Sequence, residues 1–176
     1  MPTPPKLDFD PVARAEELWR EHWGADSPHD AMAAATSVMR VQQLLLARFD
    51  AALKPHGLTF ARYEALVLLE FSRAGELPLS KVGERLMVHP TSVTNIVDRL
   101  ERSGFVERVP NPRDGRGTLA RITPSGRDVV ARATADLHAI QFGLEALDAD
   151  QRAALTALLR VVRAGAGDFP DSRTSE

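Results

Sequence analysis

Apolar residues recur at every third or fourth position through most of the chain, a spacing typical of helices that bury one face. The first such stripe follows Asp10-Pro11, which supply an aspartate at the N-cap and a proline at the first helical position, and it ends near Trp23. A second stripe covers residues 30–53 and stops before Pro55 and Gly57. The pattern therefore predicts two N-terminal helices.

The same criterion predicts three helices outside the central segment described below. Thr59 is placed to cap the first, and Thr123-Pro124 begins the second. Apolar residues of the second helix alternate between spacings of four and three, at Gly126, Val130, Ala133, Leu137, Ile140, Leu144 and Leu147. This helix is therefore predicted to continue to Leu147. One helix cannot bury such a heptad seam by itself, so the seam is predicted to pair with a second subunit.

The last helix begins at Asp148, where Gln151 occupies the reciprocal position of a capping box. Its predicted inner face consists of Leu155, Leu158, Leu159 and Val162. The helices at the two chain ends carry more apolar surface than the intervening segment needs as cover. They either pack on the chain's own core or interlock with a second subunit, and the second interpretation predicts a two-fold homodimer.

Residues 79–122 predict two short helices joined by a tight turn and followed by two short strands, after a loop at residues 73–77. Gly83 lets the two helices approach closely, and Met87-Val88 form the turn. His89-Pro90 start the second helix, where proline is tolerated because its missing N–H is not needed. The spacing lets both helices share one core, made of Val82, Leu86, Val88, Val93 and Ile96. This arrangement is typical of a helix-turn-helix that enters the DNA major groove.

The exposed face of the second short helix carries small hydrogen-bonding or cationic groups near its N-terminus. That end of a helix reaches base edges, and its dipole favours phosphate. The structural alternative is that Asn95 or Thr91 only caps a turn of its own helix. The predicted DNA-contacting residues of this face are His89, Thr91, Ser92, Thr94, Asn95 and Arg99.

A hairpin is predicted directly after this helix. Gly104 is placed to cap the helix C-terminus, residues 105–109 and 119–122 read as strands, and residues 110–117 are too rich in proline and glycine for either strand or helix. Arg113 and Arg116 lie at the tip, where they can follow the DNA backbone or enter a minor groove. The simpler interpretation is a surface helix and hairpin with solvated charges.

This segment resembles the winged helix-turn-helix of the MarR family of bacterial transcription regulators. A weaker likeness runs from about Asp30 to Ala164, and Asn111 departs from the acidic residue that family members often carry there. The matching residues are Leu79-Ser80, Glu84-Arg85-Leu86, Ser92-Val93-Thr94, Val97-Asp98-Arg99-Leu100-Glu101, Gly104-Phe105-Val106, Glu107-Arg108, Asp114-x-Arg116, Ile122-Thr123-Pro124 and Gly126.

The resemblance implies a mainly α fold with a small β-hairpin wing, and a single MarR-like domain over residues 1–176. Dimerisation helices are expected at residues 8–54 and 124–165, around a DNA-binding unit at 58–123. The expected flexible tails are 1–7 and 166–176. We also assign Ser80, Lys81 and Asp114 to the DNA-binding set. The expected function is a repressor that binds a pseudo-palindromic operator in double-stranded DNA as a homodimer.

Proteins of this type leave a cleft between the dimer helices and the winged unit, in which a small-molecule effector can favour an arrangement that no longer fits DNA. Each candidate lining residue also has a simpler role: the two tryptophans as core or interface aromatics, His22 as a solvated histidine, and Glu64 as a surface carboxylate near Arg62 or Arg40. The nearby arginines favour a small anion as effector. The candidates are Trp19, His22, Trp23, Arg40, Tyr63 and Glu64.

Composition and charge further limit the class of protein. The chain has 176 residues, 44% of them hydrophobic, which predicts one domain with a substantial core. The net charge is −2, yet residues 79–127 hold nine basic and five acidic residues, so the predicted DNA face is positive while the remainder is negative. No apolar run approaches about 20 residues, and the N-terminus lacks the features of a signal peptide. These observations predict a cytoplasmic protein without membrane association.

The sequence also bears on two other classes of function, an enzyme and an interaction module that does not bind DNA. No nucleophile triad, phosphate-binding glycine loop or helical metal-ligand set appears, which argues against an enzyme, a cofactor or a metal site. The chain has no cysteine, which excludes disulfides and thiolate chemistry. A non-DNA-binding interaction module built on the same fold remains the alternative.

Overall fold

The computed structural model describes residues 7–112 and 117–169. Helices dominate this part of the chain, together with one small antiparallel sheet. The elements in chain order are α1 (Pro11–Trp23), α2 (His29–Leu53), a 3₁₀ turn (Lys54–His56), α3 (Phe60–Glu70), β1 (Glu76–Pro78), α4 (Leu79–Leu86), α5 (Pro90–Arg102), β2 (Val106–Pro110), β3 (Thr118–Ile122), α6 (Pro124–Ala139), a 3₁₀ turn (Gln141–Gly143) and α7 (Ala149–Gly165).

The chain divides into two compact units, Met1–Asp50 and Ala51–Glu176. In the first unit, α1 begins as predicted, with Asp10 Oδ1 accepting the backbone N–H of Val12 at 2.9 Å. His29 Nδ1 lies 3.1 Å from Glu16 Oε1, which ties the start of α2 to α1. The large apolar side chains that α2 exposes are Val38, Met39, Val41, Leu44 and Leu46.

The second unit contains the larger core. Helix α3 packs against α4, α5, α6 and β3, so it lies at the centre of the unit. Thr59 is the N-cap residue of α3 as predicted, although its side chain accepts no capping hydrogen bond. The large side chains that are almost fully buried here are Leu53, Leu66, Leu69, Leu100, Leu137, Val82, Val93, Val97 and Val106.

The sheet has the strand order β1–β3–β2, with both pairs antiparallel. The two predicted strands of the hairpin are confirmed, with ends shifted by one residue. Strand β1 is a correction, because residues 73–77 were predicted to be a loop. Three residues are too few for an alternating pattern, and β1 exists because Glu76 pairs with Arg121 of β3. Arg121 also joins all three strands through ion pairs to Glu76 at 2.7 Å and Glu107 at 3.3 Å.

The predicted continuous helix from Pro124 to Leu147 is wrong beyond Ala139. Helix α6 ends at Ala139, and the chain then turns through Gln141 and Phe142, whose φ angles are 43° and 52°. The proposed dimer seam is also wrong for this helix, because it packs inside its own subunit. The buried members of the seam are Gly126, Val130, Ala133 and Leu137.

Gly126 shows how closely α6 packs in the subunit. A Cβ atom on Gly126 would lie 2.2 Å from the carbonyl oxygen of Phe105 and 2.8 Å from Ile122 Cγ1. The helix therefore contacts the start of the hairpin backbone, and only glycine fits at this position. Heptad-like spacing here reflects an ordinary core-facing stripe, which sequence alone does not distinguish from an intersubunit seam.

Helix α7 begins as predicted, but its predicted inner face is only partly covered, with Leu155 and Leu159 half-buried. The capping box is present, with Gln151 N–H donating to Asp148 Oδ1 at 2.8 Å and Asp148 N–H donating to Gln151 Oε1 at 3.0 Å. Arg152 donates to the carbonyl oxygen of Leu147 at 2.6 Å, which holds the start of the helix to the preceding turn. No residue of α7 is buried by the described chain, and Leu158 and Val162 are each 68% exposed.

None of the helices in the described ranges is both long enough and apolar enough to cross a membrane.

Candidate nucleic-acid interface

Helices α4 and α5 cross with their backbones in close approach. Val82 and Val93 are buried between them. A Cβ atom on Gly83 would lie 3.0 Å from Val93 Cγ2 and 3.4 Å from the carbonyl oxygen of Val88, so glycine sets the closeness of the crossing. Met87 ends α4 in the left-handed conformation, with a φ of 54°. These features confirm the predicted helix-turn-helix.

His89 has a role that the sequence did not reveal, since it is the N-cap residue of α5. Its Nδ1 atom accepts the backbone N–H of Thr91 at 3.3 Å and lies 3.1 Å from Thr91 Oγ1. An imidazole nitrogen that accepts a backbone N–H carries no proton, so the ring proton is on Nε2. The exposed His89 ring therefore caps the helix with one nitrogen and offers an N–H donor with the other.

The polar residues predicted on α5 lie together on one exposed face of the helix. Thr94 Oγ1 donates to the carbonyl oxygen of Pro90 at 3.2 Å, so this hydroxyl is partly engaged within the helix. Asn95 and Arg99 line a shallow depression of about 280 Å³ and make no side-chain hydrogen bond to other described residues. The exposed residues of this face are Thr91, Ser92, Thr94, Asn95 and Arg99.

Two predicted DNA-contacting residues lie on α4 instead. Ser80 and Lys81 are exposed in its first turn. Lys81 Nζ forms an ion pair with Glu84 Oε2 at 2.7 Å, which neutralises part of its charge. Between exposed groups such a pair is weak, so Lys81 can exchange Glu84 for a phosphate at little cost.

Helix α5 and the hairpin are joined by an ion-pair clamp that includes Arg108 of β2. Its Nη2 atom donates to Asp98 Oδ1 at 2.5 Å, and its Nη1 atom donates to Glu101 Oε2. Burial opposes the charged form of Arg108, but the hydrogen bonds to Asp98 and Glu101 outweigh it and raise the pKa of the guanidinium. The clamp fixes the hairpin relative to the exposed face of α5.

Gly104 ends α5 as predicted, in the turn that leads to β2. Gly104 has a φ of 72°, its N–H donates to the carbonyl oxygen of Glu101 at 2.9 Å, and the Phe105 N–H donates to that of Leu100 at 3.0 Å. At the other end of the hairpin, Asn111 N–H donates to the carbonyl oxygen of Gly117 at 3.0 Å. The predicted wing contacts Arg113, Asp114 and Arg116 lie outside the described residues.

The six candidate effector residues fall in different units. Tyr63 and Glu64 lie on α3 in the second unit and line a groove between α3 and α6. Trp19, His22 and Trp23 lie on α1, where the Trp23 ring is 6.3 Å from the Trp19 ring and 4.6 Å from the His22 ring. Their joint site with Tyr63 and Glu64 stays a prediction.

Arg40, the sixth candidate, lies on α2, where its Nη1 atom donates to Gln43 Oε1 at 3.2 Å. Arg62 does not neutralise Glu64, because its Nε atom donates to Thr59 Oγ1 at 3.2 Å. Glu64 is exposed as a residue and lines the groove, but partial burial of its carboxyl raises the pKa of that group above the ordinary value.

Crossed helices with an exposed polar second helix, followed by a clamped hairpin, define a winged helix-turn-helix DNA-binding protein. The MarR family model matches residues 58–118. The multiple antibiotic resistance protein MarR of Salmonella typhimurium is 33% identical over 114 residues, which are 62% of this chain and 76% of that protein. The chain therefore belongs to the MarR family, and it is a DNA-binding transcriptional regulator.

Solved structures agree with this assignment. Sco5413, a MarR family transcriptional regulator from Streptomyces coelicolor, is 63% identical with a TM-score of 0.75, covering 81% of this chain and 99% of that one. The C80S mutant of MarR from E. coli, complexed with operator DNA, is 26% identical with a TM-score of 0.68, covering 78% of this chain and 98% of that one.

Proposed function

We propose that the protein represses transcription by binding a pseudo-palindromic operator as a homodimer, and that a small effector releases it. The observation that carries this proposal is the exposed polar face of α5, held by the buried crossing with α4 and by the Arg108 clamp. Thr91, Ser92 and Asn95 contact base edges, and Arg99 reaches a guanine or a phosphate one turn further along. Additional backbone contacts come from Ser80 and Lys81, and from Arg113 and Arg116, which flank Asp114 in the sequence of the wing.

The homodimer is supported by apolar surface that the described chain leaves uncovered. Helix α7 exposes Leu158, Val161 and Val162, and α2 exposes a further apolar set. Large apolar side chains in this number are costly to leave in water, and a second copy of the chain can cover them. In a two-fold dimer, two copies of α5 meet major grooves about one helical turn apart.

Effector control is supported by the groove between α3, which belongs to the DNA-binding unit, and α6. A ligand that binds one arrangement of the dimer more tightly shifts the population toward it. Operator affinity falls when that arrangement has the wrong spacing between the two copies of α5. We further propose that the protein acts in the cytoplasm and catalyses no reaction.

Footprinting on the DNA upstream of the protein's own gene tests the proposal. The expected result is protection of two half-sites whose centres are about one helical turn apart. Binding of the full chain to random DNA should weaken as salt is raised, because phosphate contacts release counterions. Absence of protection, together with salt-independent retention on DNA, would favour the interaction module.

Specificity is tested at Asn95, whose amide offers the donor and acceptor that suit adenine. Asn95→Ala should lose about 1–3 kcal/mol on the best operator and far less on random DNA, with unchanged circular dichroism. A gel-shift series on operators varied one base at a time measures the difference. Equal losses on all sequences would show that Asn95 only positions the helix.

A further inference from the structure

The groove between α3 and α6, called the α3–α6 groove below, has the size and lining of a small-molecule site. Its volume is about 770 Å³, within the range of pockets that bind drug-sized ligands. Its walls are mainly apolar, with Val67 and Leu68 on α3 facing Val130 and Ala131 on α6. Phe71, just after α3, also lines it and is 84% exposed, which is costly for so large an apolar ring.

The charges along the α3–α6 groove do not balance. Its only arginine among the described lining residues is Arg127, whose Nη1 atom pairs with Glu70 Oε2 at 2.5 Å. The Tyr63 hydroxyl and Thr134 Oγ1, 3.0 Å apart, satisfy each other. Glu64 makes no hydrogen bond or ion pair with any residue in the described ranges. Glu64 is therefore the carboxylate of the described groove lining that has no cationic partner.

Aromatic rings stand at both sides of the groove. The Phe60 and Tyr63 rings on α3 are 6.2 Å apart with an interplanar angle of 27°, and the His138 and Phe142 rings at the end of α6 are 5.9 Å apart. All four of these residues line the groove. The faces of aromatic rings carry partial negative charge and attract cations, most strongly where water is reduced.

The backbone conformation of Phe142 is a second, independent indication of a ligand site in the groove. Its φ of 52° lies in the left-handed region, which costs energy for a residue with a bulky side chain. Strained residues of this kind concentrate at ligand sites, because the surrounding structure holds them in place for function. Here the strained turn ends α6 and brings Phe142 to the groove.

We propose that the α3–α6 groove binds a hydrophobic organic cation, an apolar or aromatic body that carries a protonated amine or quaternary ammonium group paired with Glu64. The proposal rests on the proposed effector control and names the chemical class of the effector. It differs from the small anion expected from the sequence, because Arg40 and Arg62 are not among the groove lining and Arg127, which is, already pairs with Glu70. A cation would also offset the partial desolvation of Glu64, which raises the pKa of its carboxyl.

Three probes that share a naphthalene ring test the sign of the charge. 2-Naphthylmethylamine is cationic at pH 7.5, 2-naphthalenemethanol is neutral and 2-naphthoate is anionic. Isothermal titration calorimetry with the full chain should show that the amine binds about tenfold more tightly than either of the others, because only the amine gains both the ion pair and the ring contacts. Tightest binding of 2-naphthoate would overturn the proposal.

A matched pair of variants tests the role of Glu64. Glu64→Gln should weaken binding of the amine about tenfold and leave binding of the alcohol unchanged, because only the charge is removed. Glu107→Gln removes the same charge from β2, outside the groove lining, and should leave both affinities unchanged. Circular dichroism confirms that both variants are folded. Unchanged amine affinity in Glu64→Gln would overturn the proposal.

Operator binding, followed by fluorescence anisotropy in the same samples, separates this proposal from the proposed function. Amine binding that depends on Glu64 but leaves operator affinity unchanged supports the ligand class and contradicts effector control. Operator release by 2-naphthoate without measurable amine binding overturns the ligand class and leaves effector control intact. Operator release by the amine in the wild-type chain but not in Glu64→Gln supports both.

Discussion

At the scale of single residues, the two ring nitrogens of His89 have different roles. Nδ1 caps α5 by accepting the Thr91 N–H, and this bond leaves the proton on Nε2, at an exposed position beside the proposed base-reading face. Asparagine is among the best N-cap residues and alanine among the poorest. Two substitutions can therefore separate the capping role of His89 from its role as a hydrogen-bond donor.

His89→Asn should keep the free energy of unfolding close to that of the wild type, whereas His89→Ala should lower it by about 1 kcal/mol. Both should bind the operator more weakly if Nε2–H donates to DNA, by about 1.5–3 kcal/mol for one hydrogen bond to a charged group. Urea unfolding and fluorescence anisotropy measure the two quantities. Full operator affinity in His89→Asn would show that His89 only caps the helix.

Glu64 gives a prediction about pH at the same scale. Its pKa in the folded chain is raised above the ordinary value of 4.5 by partial burial. The stability linked to this carboxyl is therefore fully present below its unfolded pKa and is lost as pH rises through its folded pKa. Glu64→Gln cannot ionise, so its free energy of unfolding relative to the wild type should increase as pH rises from about 4 toward 7.

Urea unfolding of Glu64→Gln and the wild type, at a series of pH values, measures this difference. The other ionisable residues of the α3–α6 groove, Glu70, Arg127 and His138, are present in both proteins, so their direct contributions largely cancel. A difference that stays constant, or that falls as pH rises, would contradict the assigned direction of the pKa shift.

At the scale of elements, the Arg108 clamp connects α5 to β2 through two carboxylates. Only 26% of the Arg108 side chain is exposed, whereas Arg121, which spans the sheet through Glu76 and Glu107, is 44% exposed. Charge pairs are stronger where water is reduced, and exposed pairs contribute little. The contributions of the two arginines to stability can therefore be compared within one small sheet.

Arg108→Ala should lower the free energy of unfolding by about 1–2 kcal/mol, because it leaves Asp98 and Glu101 partly covered without their shared donor. Arg121→Ala should lower it by less than Arg108→Ala does, as expected for an exposed pair. Arg108→Ala should also weaken operator binding, because the hairpin is no longer fixed to α5. Urea unfolding and anisotropy test both statements, and equal effects of the two substitutions would contradict them.

At the scale of the whole molecule, the uncovered apolar face of α7 is the feature that a single chain does not explain. It contrasts with α6, whose seam lies inside the subunit, with Leu137 fully buried. Substitutions at exposed positions of α7 should affect association without affecting the core. Substitution at Leu137 should affect the core directly.

The double substitution Leu158→Lys and Val162→Lys should yield folded monomers, since both side chains are exposed within one chain and lysine would place charge in the proposed interface. Leu137→Lys should instead unfold the chain, because it buries an unpaired charge. Sedimentation velocity and circular dichroism distinguish these outcomes. An unperturbed dimer in the double variant would exclude this face of α7 from the interface.

Local chemistry in the sequence determined the helix starts and the helix-turn-helix. Asp10, Thr123 and Asp148 accept backbone N–H groups from their own helices, Gly104 ends α5 through a bond to Glu101, and Gly83 contacts the adjoining helix at Val93. These interactions join residues that are close in sequence, so they do not depend on the tertiary arrangement. The polar face of α5 was predicted for the same reason, because helical periodicity alone places its residues together.

Only the tertiary structure decided features that depend on residues distant in sequence. Strand β1 exists through its pairing with β3, and the seam of α6 is a core stripe because other parts of the subunit cover it. The paired state of Arg127 and the unpaired state of Glu64 follow from the packing of α3 beside α6. The physical reason is that one apolar or charged stripe has the same spacing whatever covers it, and its partner is selected only when the chain folds.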